Sequence, residues 1–128
     1  MKNEMMKFTH EINIDGDIDI IVRDVNASVL NTGEVVYEYQ EDNHTVLMRF
    51  IFHEDGLLVR LIGNDYIAVI PLELNEKTSG KYVINGKELI FDFILHKITV
   101  KSLAIYLEYD IFTKDSVISN NTWRIEVK

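Results

Sequence analysis

Four histidines are the first residues of this chain that could do chemistry: His10, His44, His53 and His96. An imidazole can hold zinc or move a proton near neutral pH. Local zinc motifs set two ligands about two to five residues apart, and no pair here is that close. A structural role suits single, distant histidines better. His10 shares its alternation with Phe8 and Ile12, so it is expected as a hydrogen-bonded histidine in the core or at its rim. The chain has no cysteine, which removes thiol nucleophiles, thiolate metal sites and disulfides.

Other chemistry-bearing patterns are equally sparse. Asp15-Gly16-Asp17-Ile18-Asp19 resembles part of a calcium loop, but the glycine precedes the alternating acids and no glutamate closes the loop; it reads as a turn. Serines 28, 79, 102, 116 and 119 stand in no nucleophile-elbow context. Gly80 and Gly86 are isolated, so no phosphate-cradling loop exists. Glu108 and Asp110 share a strand face, as solvated acids commonly do, and their spacing does not mark a perturbed proton donor. The expectation is a protein without catalytic residues, metal or cofactor.

Charge narrows the partners. Acids outnumber lysine and arginine 21 to 13, giving a net charge of −8. Phosphate backbones and anionic membrane surfaces are bound largely through basic side chains. Neither nucleic acid nor membrane is therefore expected as a partner. The longest apolar run, residues 66–72, is strand-sized, and the N-terminal residues lack the unbroken apolar segment of a secretory signal. A cytoplasmic protein is expected.

Whatever these residues do, strands must position them. Apolar residues recur at every second position, as in Phe8, His10, Ile12, Ile14 and again in Leu103, Ile105, Leu107, Tyr109, Ile111. Side chains on a strand alternate between faces, so this period buries one face and wets the other. Asp15-Gly16 and Asn85-Gly86 are tight-hairpin dipeptides, and residues 41–44 form a polar turn. Residues 24–32 are ambiguous between a bend and an irregular strand, and residues 75–81 read as a polar lead into Tyr82-Val83-Ile84. Pro71 cannot donate a ladder hydrogen bond and implies an edge, bulge or break. The apolar phase slips between Val100 and Leu103, which implies a turn near Lys101-Ser102 or a bulge. With no helical spacing anywhere, the chain of 128 residues is expected to be one all-β domain. Its architecture should be a single antiparallel up-and-down barrel of about eight to ten strands, since closure removes exposed edges.

Alternation sends Tyr37, Tyr39, Phe50, Phe91, Phe93 and Tyr109 to the same side as the aliphatic core. They can pack as core, or they can line a cavity that takes one small apolar or amphipathic molecule. The leading expectation is non-enzymatic binding of such a ligand, with Arg60 and Glu41 as candidates to orient its polar end. Outward-facing Val36, Leu47, Ile51, Leu58, Ile62, Ile67, Val69 and Ile94 supply the alternative. If several adjoin, the outer wall can pair two copies as a homodimer.

The order of several short motifs resembles the YwiB-like family of uncharacterised bacterial proteins. They are Tyr39-Gln40-Glu41, then Leu57-Leu58-Val59-Arg60 before Gly63, then Tyr82 followed by Gly86, and finally residues 105–111 with Tyr109. The resemblance covers residue 34 onward and implies a calycin-like, that is lipocalin-like, barrel. It implies no reaction, and a fold does not dictate one.

Overall fold

The computed structural model describes residues 3–114 and 116–128, with Asn3 described by its backbone alone. Its strands are β1 (Asn3–Ile14), β2 (Asp17–Val29), β3 (Val35–Glu41), β4 (His44–His53) and β5 (Gly56–Ile62). They continue as β6 (Tyr66–Glu73), β7 (Lys77–Ile84), β8 (Lys87–Lys101), β9 (Ala104–Thr113) and β10 (Ser116–Val127). Each pairs antiparallel with its neighbours in sequence, and β1 pairs with β10. The described residues thus form a closed ten-strand up-and-down barrel with no helix.

Three of the hairpins have turn chemistry that fixes their register. Asp15-Gly16, Asp42-Asn43 and Asn85-Gly86 all hold positive φ at both central positions. That geometry matches the right-handed twist of the flanking strands and is accessible to Asp, Asn and Gly. These turns, with residues 63–65 and the β9–β10 connection, lie at one end of the barrel, here the mouth. The other end, the base, carries residues 30–34, 54–55, 74–76 and 102–103 together with the start of β1 and the end of β10.

Two strands are longer than the sequence suggests. β2 continues through the ambiguous residues as far as Val29, with Val25 and Ala27 fully buried. β7 begins at Lys77 because Thr78 and Gly80 face inward, and Gly80 is pressed against Val69, Pro71 and the Phe93 ring. Pro71 marks a break, as expected. The β6–β7 ladder ends at Val69↔Lys81, and the Thr78 hydroxyl donates to the Pro71 carbonyl instead. The phase slip between Val100 and Leu103 is a turn, through Ser102 with positive φ; a separate bulge between Leu95 and Lys97 shifts the phase earlier in β8, from Leu95 to Ile98.

The base half of the interior is solid. Rings touch one another from wall to wall: Tyr37 to Phe50 at 5.1 Å, Phe50 to Trp123 at 5.9 Å, Trp123 to Tyr109 at 5.6 Å and Tyr109 to Phe93 at 6.2 Å between centroids. Met6, Val25, Met48, Val59, Leu72, Leu95 and Leu107 fill the space around them. Burying each such side chain contributes on the order of 1.5–3 kcal/mol, so this plug is what holds the barrel shut.

Candidate functional site

The mouth half differs. The β1–β2 hairpin pairs His10 with Ile21 and Phe8 with Arg23, so Ile21 and Arg23 face inward along with Ile14. Across the barrel Ile84 and Leu89 share the inner face with Tyr82, which pairs with the buried Ala68. Four of these inward-facing apolar side chains keep water contact: Ile14 46%, Ile21 38%, Ile84 39% and Leu89 40% exposed. An inner wall of a closed barrel should be dry, so this end of the interior opens to solvent.

Below that apolar rim lies a polar layer. His10 Nε2–H donates to Asn121 Oδ1 at 2.9 Å, and Asn121 Nδ2 donates to the buried Ser119 hydroxyl at 2.9 Å. The His10 ring lies against Phe8 and edge-on to Trp123, at centroid distances of 6.2 and 5.6 Å. Burial pushes its pKa below the ordinary 6.5, and the Asn121 hydrogen bond only partly opposes this. His10 is thus neutral at pH 7, with its Nδ1 lone pair available. The buried Trp123 Nε1–H has no hydrogen-bond partner among the described residues, though it lies close enough to the Tyr109 hydroxyl to oppose in part the rise of that group's pKa. Burial also raises the pKa of the Tyr82 and Tyr109 hydroxyls, which therefore stay protonated. Tyr82 stands edge-on to Phe91 at 5.6 Å. The arrangement offers hydrogen-bond donors and acceptors beneath a rim of aliphatic side chains that also carries the inward-facing Asp17, Asp19 and Lys87.

A second polar group closes the wall where β2 and β3 diverge. Those strands pair only from Asn26↔Glu38 to Val29↔Val35. Beyond, Arg23 bridges the gap: its guanidinium lies 4.7 Å over the Tyr39 ring and Nη2 bonds Glu41 Oε2 at 2.8 Å. The Tyr66 hydroxyl donates to the other Glu41 oxygen at 3.3 Å. Desolvation, then the neighbouring Tyr39 and Glu41, raise the Tyr66 pKa, so its proton stays in place for that bond. Outside this seam is a cleft of about 450 Å³ lined by Met5, Val22, Arg23, Asp24, Asn26, Glu38, Tyr39 and Gln40.

The residues expected to line a ligand chamber divide accordingly. Tyr37, Phe50 and Phe93 are completely buried among other side chains, and Tyr109 nearly so. They form the plug and have no surface left for a ligand. Phe91 is half-buried beside Tyr82 at the mouth, and Tyr39 lies beneath Arg23. The expectation that Arg60 lines the interior is corrected: it is exposed on the outer wall, between Arg49 and Val69. The reason is parity, because inward Leu57, Val59 and Leu61 leave Arg60 facing out. The inward arginine is Arg23, and the hairpin register set by Asp15-Gly16 was the signal that could have found it. Glu41 is inward, but both its oxygens are taken by Arg23 and Tyr66.

Of the remaining histidines His53 meets Glu73 at 3.2 Å and His96 meets Asp110 at 2.7 Å, while His44 is exposed at the start of β4, so the four do not converge. Among the described residues no group of three or more histidines and acids could hold a metal ion. The outward apolar residues do adjoin. Leu47–Ile62–Ile67 and Ile51–Leu58–Pro71 form two rows across β4, β5 and β6, with Arg49 and Arg60 between them. None of the described residues forms a helix long and apolar enough to cross a membrane.

No protein-family model and no curated protein matches the sequence. Among solved structures the chain is similar to the YwiB protein from Bacillus subtilis, with a TM-score of 0.73 and 18% identity over 98% of this chain and 92% of that one. At that identity the likeness is one of fold, and it extends to the whole barrel, including the N-terminal residues that the short sequence motifs leave out.

Proposed function

We propose that this barrel is a non-catalytic binding protein that takes one small amphipathic molecule at its mouth. One observation carries the reading: Ile14, Ile21, Ile84 and Leu89 face inward yet stay about two-fifths exposed, above a layer of donors and acceptors. Apolar collars with a few convergent polar groups are how small-molecule sites are commonly built. The ligand's apolar part would cover the collar and its polar end would meet His10 Nδ1, in the polar layer directly above the buried Trp123. The lack of cysteine accords with the reducing cytoplasm.

Trp123 is the only tryptophan, so its fluorescence reports on this layer directly. An anionic naphthalene probe or a medium-chain fatty acid should change it saturably, and Leu89→Asp should abolish the response. Native mass spectrometry of protein from its own host should show a retained small molecule. No retained mass together with an unsaturable fluorescence change sinks the reading.

A second reading, association of two copies through the outer wall, draws on the adjoining rows of β4–β6. If it holds, Ile67→Asp separates the copies in sedimentation; a mass unchanged by that variant rejects it.

A further inference from the structure

We infer that the mouth half of β2 is a pairing edge for a second copy of this chain. β2 pairs with β1 from Asp17 to Ser28, but among the described residues Asp17–Val25 has no ladder partner on the β3 side. In a two-residue hairpin the pair flanking the turn, here Ile14 and Asp17, exchanges both ladder bonds. Residues 17, 19, 21 and 23 therefore bond β1, and Ile18, Ile20, Val22 and Asp24 turn their N–H and C=O groups outward. The same residues carry exposed apolar side chains, with Ile18 at 55%, Ile20 at 60% and Val22 at 54%. A free strand with an apolar face is a template for strand addition.

The sequence of this edge matches itself. An antiparallel pairing about a two-fold axis through Ile20 sets Ile20 opposite Ile20 and Ile18 opposite Val22, with the outward N–H and C=O groups of these residues bonded across. Six aliphatic side chains then form one continuous stripe on the outer face. On the inner face Asp17 falls opposite Arg23 of the second copy, with Asp19 diagonal to that same arginine. A generic strand meeting Asp17 and Asp19 would leave both acids uncompensated. In this register the second copy's Arg23, which already bonds Glu41 of its own barrel through Nη2, is the cation facing these acids, and an isologous contact of this kind closes as a dimer. The edge is separate from the β4–β6 wall; it shares the strand of Ile21 with the mouth collar, but its outward N–H and C=O groups belong to Ile18, Ile20 and Val22, which are not collar residues.

The absence of native cysteine makes the register testable by cross-linking. A hydrogen-bonded antiparallel pair has Cα atoms about 5.5 Å apart, within disulfide reach. Ile20→Cys should therefore oxidise mildly to a covalent dimer. Ile18→Cys, similarly exposed, should not link to itself but should link to Val22→Cys when the two are mixed. In sedimentation the unmodified chain should show a concentration-dependent dimer. Ile20→Pro should be monomeric with an unchanged circular dichroism spectrum, since the N–H it removes bonds nothing within one copy. A monomer at every concentration overturns the inference. So does equal self-linking of Ile18→Cys and Ile20→Cys, or a dimer lost in Ile67→Asp but kept in Ile20→Pro.

Discussion

Arg23 of β2 and Glu41 of β3 meet at 2.8 Å across the stretch where the backbone ladder between their strands has ended. Side chains there do what main-chain bonds do elsewhere in the barrel. An ion pair with each partner about one-third exposed contributes modestly, and stacking on Tyr39 adds a comparable amount. Arg23→Ala should lower stability by about 1–2 kcal/mol in urea unfolding. A cycle with Glu41→Gln should give a coupling of about 0.5–1 kcal/mol. A coupling of zero would mean that the backbone alone holds the seam.

Tyr37 ties the base together. Its hydroxyl donates to the Leu103 carbonyl at 2.6 Å, joining β3 to the turn between β8 and β9 across the barrel. Tyr37→Phe keeps the ring packed on Phe50 but strands a buried carbonyl. The cost should be about 1–3 kcal/mol, the usual range for an unsatisfied buried group. A shift in the urea midpoint at constant slope is the measurement that checks it.

The architecture was legible because period-two alternation and Asp-Gly or Asn-Gly turns act locally. Strand count and the two-residue hairpins follow from signals within about ten residues of one another. Closure, which sets Met6 of β1 against Val127 of β10, follows only from the edges an open sheet would expose. The site was less legible because face assignment needs register. Arg60 belongs to a strand whose inward residues are all apolar, so counting along β5 alone already sends it outward. Arg23 follows residues whose apolar members Ile18, Ile20 and Val22 face water, so the local pattern there points the wrong way. Only pairing through the hairpin sets Arg23 opposite Phe8. The mouth was hidden for a different reason. Whether an inward aromatic such as Tyr37 packs or lines space depends on rings contributed by β8, β9 and β10, and alternation within one strand does not encode that.

Two glycines, Gly56 at the start of β5 and Gly63 in the turn that follows it, test how tightly neighbouring groups are pressed. A Cβ on Gly56 would strike the Leu72 backbone carbonyl, which cannot move without parting β5 from β6. A Cβ on Gly63 would strike only the Tyr66 ring, which can swing outward. Gly56→Ala should therefore cost several kcal/mol, of the order of overpacking a rigid site. Gly63→Ala should cost about 1 kcal/mol, mostly through the lost Tyr66–Glu41 hydrogen bond. Thermal unfolding of the two variants ranks them, and equal losses would contradict the distinction between backbone and side-chain neighbours.

His10 makes stability depend on pH with a definite sign. Its folded pKa lies below the ordinary value of 6.5 because burial disfavours the imidazolium. Between those two values the unfolded chain binds the proton and the fold does not, so acid favours unfolding through this residue. Its contribution is fully present above pH 6.5 and is lost as pH falls through the window down to the folded pKa. His10→Gln keeps a donor at the Nε2 position for Asn121 and removes the titration. Urea midpoints measured at pH 7.5 and at pH 5 should fall less in that variant than in the parent, after both are referred to their own neutral value. An identical acid-side loss would mean that His10 is already charged in the fold, with water reaching the polar layer at the mouth.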